Sequence, residues 1–436
     1  MRSTLFYIPH ELFGVPVFGM GWLLGAWIVV SVVLLLALVR RQGWNQDTAS
    51  YIPFMAIVGA AILFLLPQMG EVDSRGQPLG LPIRGFGVML MLATVAGVGL
   101  GTYRAWQMGI DPELMYTLAF WMFIAGIAGA RGFYILQYWD EFQKDNLLDT
   151  LKSLVNVTNG GLVVYGSVLA AVPVAIWFLR SRNLPVLAIG DIIAPSMVIG
   201  LALGRVGCFL NGCCFGGVCL AEPLAVTFPG GSAPNAKPSP PYLQHLEEGW
   251  RSGVWLTTKE KQIIIGYALP GGPAEAAGVK AGDAIHSING SRVTSLAQAR
   301  SLLHKTSSSY ELATADARVL RWTVDDPPPR SVPVHPAQLY AAIDAGLLAL
   351  LLWVLYPFRR RDGEVFALLI TIHPISRFLL EMIRSDEAGQ FGTELTISQW
   401  LSIGILAFAC WLWFYIEQQP RGSALPRKAE GLGARG

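Results

Sequence analysis

Two stretches of this chain place fixed charge where apolar sequence surrounds it. The first is LGRVGCFLNGCCFGG, residues 203–217, in which Arg205, three cysteines and five glycines follow the apolar run IIAPSMVIGLAL. The second is HPISRFLLEMIR, residues 373–384, where His373, Arg377, Glu381 and Arg384 recur at spacings of four, four and three. That spacing puts them on one stripe of a helix whose other faces are Ile, Leu, Phe and Met. Ionisable groups in a spanning helix are costly unless they snorkel, pair or meet a ligand. Snorkelling accounts for a lone Arg205, and a Glu381 salt bridge to Arg377 or Arg384 accounts for part of the stripe. One arginine and the histidine are then left over. Two arginines from different helices make a clamp for a lipid phosphate, since each guanidinium offers bidentate donors at fixed charge. Two further clusters are polar: VHPAQLYAAID, with His335, Gln338 and Tyr340 at a membrane entry, and NGGLVVYGSVLAA, with Tyr165 about a turn inside a run. The former serves equally as an interfacial anchor or as part of a site, and the glycines of the latter permit close helix approach. No HExxH, P-loop or dinucleotide fingerprint occurs.

What must position these residues is a set of membrane helices. The 436-residue chain is 53% hydrophobic and 14% charged, against roughly 25% charge in soluble proteins. About nine apolar runs of spanning length are expected, near 15–39, 51–69, 84–106, 114–137, 161–180, 186–209, 336–356, 364–383 and 396–416. The first is too long for a signal-peptide core and no small-residue cleavage site follows it, so it is expected to be an anchor. Odd-numbered runs end in positive charge: Arg40 and Arg41, Arg104, Arg180 and Arg182, Arg359 to Arg361, then Arg421, Arg427 and Lys428. The positive-inside rule puts those ends and the C-terminus in the cytoplasm, with Cys208 to Val334 outside. With the basic residues spent on topology, a net charge of +2 gives no reason to expect a nucleic-acid partner.

From about 218 to 334 the chain turns polar and rich in Pro, Gly and Ser. A β-branched strand at Ile263–Ile265 leads through a Gly-Gly-Pro turn and an Ala-rich helix to Gly282-Asp283. A strand, an Asn289-Gly290 hairpin turn and an amphipathic helix follow. GGPAEAAGVKAGDAIHSINGSRV resembles a bacterial PDZ domain, which implies binding of extended peptides at a sheet edge, with SGVWL at 252–256 as the carboxylate loop. A spacer domain that binds nothing is the alternative. The fold class expected is thus an all-α polytopic membrane protein with an inserted α+β PDZ-like extracytoplasmic domain. The segments are an extra helix pair (1–78), a first membrane core part (79–220), the insert (221–332, PDZ-like over about 252–325), a second core part (333–418) and a tail (419–436).

In this order, GGLVVYG, GRVGCFLNGCCFGG, HPAQLY and RFLLEMIR resemble prolipoprotein diacylglyceryl transferase, as does PIRGFGVMLMLA with GIDPEL. The resemblance implies a bacterial inner-membrane enzyme that transfers the diacylglyceryl group of phosphatidylglycerol to the lipobox cysteine of a prolipoprotein, with glycerol-1-phosphate leaving and no cofactor. It makes Arg205 and Arg377 phosphate ligands and Glu381 the residue that orients Arg377. Gly204, Asn211, Gly212 and Gly216, with His335, Gln338 and Tyr340, would bind substrate. The chain departs from the family at two places. Tyr165 stands where the family has its candidate base, a histidine, while His373 stands where the family has tyrosine. Either the roles have exchanged, with His373 the base and Tyr165 at the head group, or Tyr165 merely hydrogen-bonds and His373 is a packed polar residue. Cys208 and Cys213 replace Asn and Glu of the signature loop. With Cys214 and Cys219 they are expected to form disulfides or buried neutral thiols ahead of a metal site, the adjacent pair being awkward in a tetrahedral centre. A membrane redox or metal-handling protein built on these cysteines is the rival function, and it leaves the arginine stripe unexplained.

Overall fold

The computed structural model describes residues 3–72, 76–143, 146, 150, 153–154, 161, 163–220, 224–231, 237–305, 308–384, 389–390 and 392–425. Asn159, Gly160 and Leu162 of the NGGLVVYG motif, much of the 138–160 loop, and Arg427 and Lys428 of the tail lie outside the described residues. Strand β1 (Thr4–Ile8) precedes helices α1 (Trp22–Gln42) and α2 (Gln46–Ala60), the latter continuing through a π turn and a 3-10 turn to Met69. Then come β2 (Glu71–Val72), β3 (Pro78–Arg84), α3 (Gly85–Gln107), α4 (Pro112–Gln137), α5 (Val164–Ser181) and α6 (Val186–Asn211). The polar segment forms α7 (Pro240–Glu247), β4 (Val254–Lys259), β5 (Gln262–Ala268), β6 (Ile285–Ile288), β7 (Ser291–Arg292), α8 (Leu296–Lys305), β8 (Ser309–Thr314) and β9 (Val319–Thr323). Helices α9 (Ala337–Leu355), α10 (Glu364–Glu381) and α11 (Ile397–Glu417) complete the chain.

Among the described residues, seven helices are long and apolar enough to cross a membrane: α1, α2 with its continuation, α3, α4, α6, α9 and α11. The remaining two of the nine expected runs are helical but do not meet that measure. The described apolar part of α5, Tyr165–Ser181, is shorter, and α10 carries Glu364, Arg377 and Glu381. The helix starts follow local chemistry. Asp111 accepts the Glu113 N–H with Pro112 in the first turn of α4, and Thr396 and Gln399 close a reciprocal capping box on α11.

The chain forms two compact units, Met1–Met89 with Gly207–Pro336, and Leu90–Val206 with Ala337–Gly436. In the first, β1, β3 and β2 pair antiparallel in that order. The Glu71 carboxylate gathers Tyr7 Oη at 3.1 Å, Arg84 at 2.9 Å and Lys237 at 2.8 Å. The polar segment builds a β4–β5 hairpin and an antiparallel sheet ordered β9-β8-β6-β7. Asn289 and Gly290 both take left-handed conformations (φ 49° and 74°), the tight hairpin turn that this dipeptide predicts. Leu256, Ile265, Ile288, Leu303, Tyr310 and Leu312 form its core, each 1% exposed or less.

In the second unit, Ala188, Ile189 and Ile192 of α6 bury completely in a core that includes Leu352 of α9 and Val365 of α10. Helices α4 and α5 touch backbone to backbone. A Cβ on Gly129 would collide with the Gly166 carbonyl, and one on Gly166 with that of Gly129, as small-residue contacts between membrane helices allow. Asp191 of α6 caps α10, accepting the N–H groups of Gly363 (2.7 Å) and Phe366 (2.9 Å).

Candidate active site

In the second unit the stripe is brought together with Tyr165 as a side-chain chain. Glu381, 2% exposed, receives Arg377 Nη2 at 2.7 Å and Arg384 Nη1 at 3.3 Å on the same oxygen. Thr396 Oγ1 reaches its other oxygen at 3.4 Å. Arg377 lies about one turn before the C-terminal end of α10, and Arg384 stands three residues beyond it. Arg377 also donates to Ser398 Oγ at 3.0 Å, and the Tyr165 hydroxyl lies 3.1 Å from that same oxygen. The close approach of Gly129 and Gly166 seats α5, and Arg131 holds the chain before it by donating to the carbonyls of Ser153, Leu154 and Gly161.

Arg205, partly buried near the end of α6, makes no hydrogen bond or ion pair with any described residue. It is a fixed charge to which no described residue supplies a counter-ion. His373 lies within electrostatic reach of Arg205, Arg377 and Asp344. Its Nδ1 is buried and meets no hydrogen-bond partner among the described residues. Asp344 is itself held by Ser376 Oγ at 2.8 Å. Gln338 is buried at the start of α9 with Tyr340 half a turn on. Gly204 faces open space where its Cβ would stand.

In the first unit the signature loop meets the HPAQLY motif. Gly216 N–H donates to the His335 carbonyl at 2.9 Å, and His335 N–H donates to Gly217 at 3.0 Å. Val218 and Val226 both bridge to Val334, and Phe215, Phe228 and Val334 pack beneath. Asn211 ends α6, and Gly212 turns the chain with φ +79°. Sequence reasoning missed Ser398, Thr396, Asp344 and Arg131. The first two were open to it: TISQ before an apolar run is a capping-box signature that locates a helix start and its hydroxyls.

The model of the prolipoprotein diacylglyceryl transferase family matches residues 77–415. The chain belongs to this family. A phosphatidylglycerol–prolipoprotein diacylglyceryl transferase of Rhodopirellula baltica is 33% identical over 441 residues, covering 93% of this chain and 87% of that protein. One from Clostridium tetani is 22% identical over 334 residues, covering 76% of this chain and 93% of its own length. A third, from Trichormus variabilis, is 29% identical over 155 residues, or 36% of this chain and 52% of that protein. The family match contains every residue placed above in the candidate site. The Rhodopirellula match, at 93% of the chain, has to run through most of the polar insert as well.

Proposed function

We propose that this protein transfers the diacylglyceryl group of phosphatidylglycerol to the lipobox cysteine of prolipoproteins, the activity named for its relatives. The observation that carries the reading is the pair of arginines: Arg205 without a counter-ion among the described residues, and Arg377 aimed by Glu381 and Ser398. The leaving group is a phosphate monoester whose charge grows as the C–O bond breaks, and preorganised guanidinium groups stabilise such charge. The thiol sulfur forms the new C–S bond and the glycerol phosphate departs with the C–O electrons. The thiol proton goes to His373, whose buried Nδ1 is available as acceptor. Tyr165 then takes a head-group and positioning role through Ser398. The family resemblance assigns Asn211, Gly212 and Gly216 of the signature loop, with His335, to substrate binding.

The membrane orientation follows from the positive run ends, with the insert outside and the C-terminus in the cytoplasm. The insert is PDZ-like and gathers extended peptide, the β4 edge beside α8 being its strand-addition site. Arg300 of α8 donates to the Leu256 carbonyl on β4 at 3.2 Å and pairs with Glu248, so an arriving strand has to displace it.

The decisive experiment incubates purified protein in phosphatidylglycerol micelles with a lipobox peptide and reads the diacylglyceryl adduct by mass spectrometry. Wild type should give the adduct, and Arg205→Ala and His373→Gln should not. An active His373→Gln removes His373 as the base. An inactive but folded wild type removes the transferase reading.

A further inference from the structure

Cys208 stands in the last turn of α6, which ends at Asn211. Gly212 takes the left-handed conformation, and a Cβ there would press on Phe228, Pro240 and Ser239 at 3.3–3.5 Å, so the turn requires glycine. This turn folds the chain back over the helix end. The N–H groups of Gly212 and Cys213 both donate to the Cys208 carbonyl, at 2.9 and 3.2 Å, and Cys213 Sγ lies 3.7 Å from the same oxygen. Cys214 also has positive φ, +60°, a conformation that costs a side-chain-bearing residue roughly 1–2 kcal/mol. The result is that Cys208, Cys213 and Cys214 bring their sulfurs within 4.8 Å of one another at a half-buried site. No disulfide joins any of the described cysteines, so of the two expectations for this loop, disulfides or buried neutral thiols, it is the free thiols that are present.

We propose that these three thiols form a binding site for a soft, closed-shell monovalent cation, copper(I). Three is the deciding number. A disulfide uses two sulfurs and strands the third, whereas one trigonal ion uses all three. Metal–thiolate bonds near 2.3 Å place the sulfurs of a trigonal site about 4 Å apart, within the 4.8 Å limit that the three sulfurs already meet. Thiolates select copper(I), zinc and iron–sulfur centres. Structural zinc takes four ligands, and the group of described ligand residues here has three. The adjacency of Cys213 and Cys214, awkward in a tetrahedron, is accommodated because Cys214 turns left-handed and faces its sulfur back toward Cys208. On binding, each thiol loses its proton to water and the ion keeps its +1 state, so no oxidant or reductant is consumed. The ion ties down the turn carrying Asn211 and Gly212 between its ligands. The site stands independently of the transfer reaction, and a chain inactive as a transferase would bind the ion equally.

The test uses full-length protein in detergent, reduced and kept anaerobic, loaded with copper(I) and challenged with a chromophoric copper(I) chelator. Wild type should retain one equivalent. Cys208→Ser, Cys213→Ser and Cys214→Ser should each lose at least a hundredfold in retention, while Cys219→Ser and Cys410→Ser retain it. Copper stripped as readily from wild type as from Cys213→Ser overturns the proposal, as does retention that survives all three single substitutions. Should the serine variants misfold, cadmium titration of wild type decides instead: thiolate charge-transfer absorption saturating at one equivalent with loss of three protons supports the site, and a smaller proton release overturns it.

Discussion

Two carboxylates are buried completely at opposite ends of α10, and they do opposite things. Asp191, at the N-terminal end, gives its oxygens to the backbone N–H groups of Gly363 and Phe366, with Arg359 at 3.5 Å. Glu381, at the C-terminal end, is surrounded by side chains: Arg377, Arg384 and Thr396. Both pairings offset the cost of burying charge. The difference lies in what is being held. A carboxylate that accepts from backbone fixes where a helix begins. One that accepts from guanidinium groups aims those groups, and through Arg377 its influence reaches Ser398 and Tyr165. Two of the six histidines divide the same way. His245 accepts the Val332 N–H on Nδ1 at 3.2 Å, whereas His373 Nδ1 meets no partner among the described residues. On the proposed mechanism, the backbone-satisfied Asp191 and His245 belong to the fold, and Glu381 and His373 to the chemistry.

The sharpest way to break this comparison is Asp191→Ala. It leaves two buried N–H groups unpaired and Arg359 without its buried partner, a loss of about 3–5 kcal/mol. Thermal unfolding in detergent should show a large drop in Tm, with activity per folded molecule near wild type. A variant that is fully stable yet inactive would place Asp191 in the chemistry instead. Arg377→Ala is the converse test. Glu381 keeps Arg384 and Thr396, so Tm should move little. Loss of a charge-stabilising donor should lower kcat/KM by about 10²–10³-fold, roughly 2.7–4 kcal/mol.

How much of this was legible beforehand follows sequence separation. The stripe from His373 to Arg384 is local, its spacing four, four and three, and α10 presents His373, Arg377 and Glu381 of it before ending ahead of Arg384. The Asn289-Gly290 turn is equally local, because left-handed backbone is written in those two residue types. The Asp191 cap was not legible. Its donors lie 172 and 175 residues away, and no local pattern reports which helix start a remote carboxylate will satisfy. The contact of Gly129 with Gly166 falls between these cases. The glycines advertise close approach, but only packing names the partner. The thiol cluster was legible only in part, because spacing places three cysteines within a short stretch but does not show that Cys214 turns left-handed.

The insert offers a pH test of the same rule. Burial holds the His245 pKa down to about 4, and the nearby Arg300 charge adds to this. The unfolded imidazole titrates near 6.5. Between those values the unfolded insert binds more protons than the folded one, so stability is whole above about pH 6.5 and falls as pH drops toward 4. By linkage the loss at pH 5 is about 2 kcal/mol. Hydrogen exchange at Val332 and along β4 in the full-length protein should accelerate over that window, and His245→Gln should flatten the response. A His245→Gln protein with unchanged pH dependence would assign the effect to another group.

The smallest effect expected is also the most discriminating for the exchanged residues. Tyr165→Phe removes one hydroxyl that meets Ser398, while Arg377 keeps its own bonds to Ser398 and Glu381. If Tyr165 only positions the network and touches the head group, the loss is that of one hydrogen bond, about 1 kcal/mol, or roughly fivefold in kcat/KM. The pH profile should then keep its shape, because the group that accepts the thiol proton is unchanged. Should Tyr165→Phe cost a thousandfold and remove a limb of that profile, the phenol itself is moving the proton. His373 would then join Asp191 and His245 as part of the fold, and the division drawn between backbone-held and side-chain-held groups would have failed at the residue where it matters most.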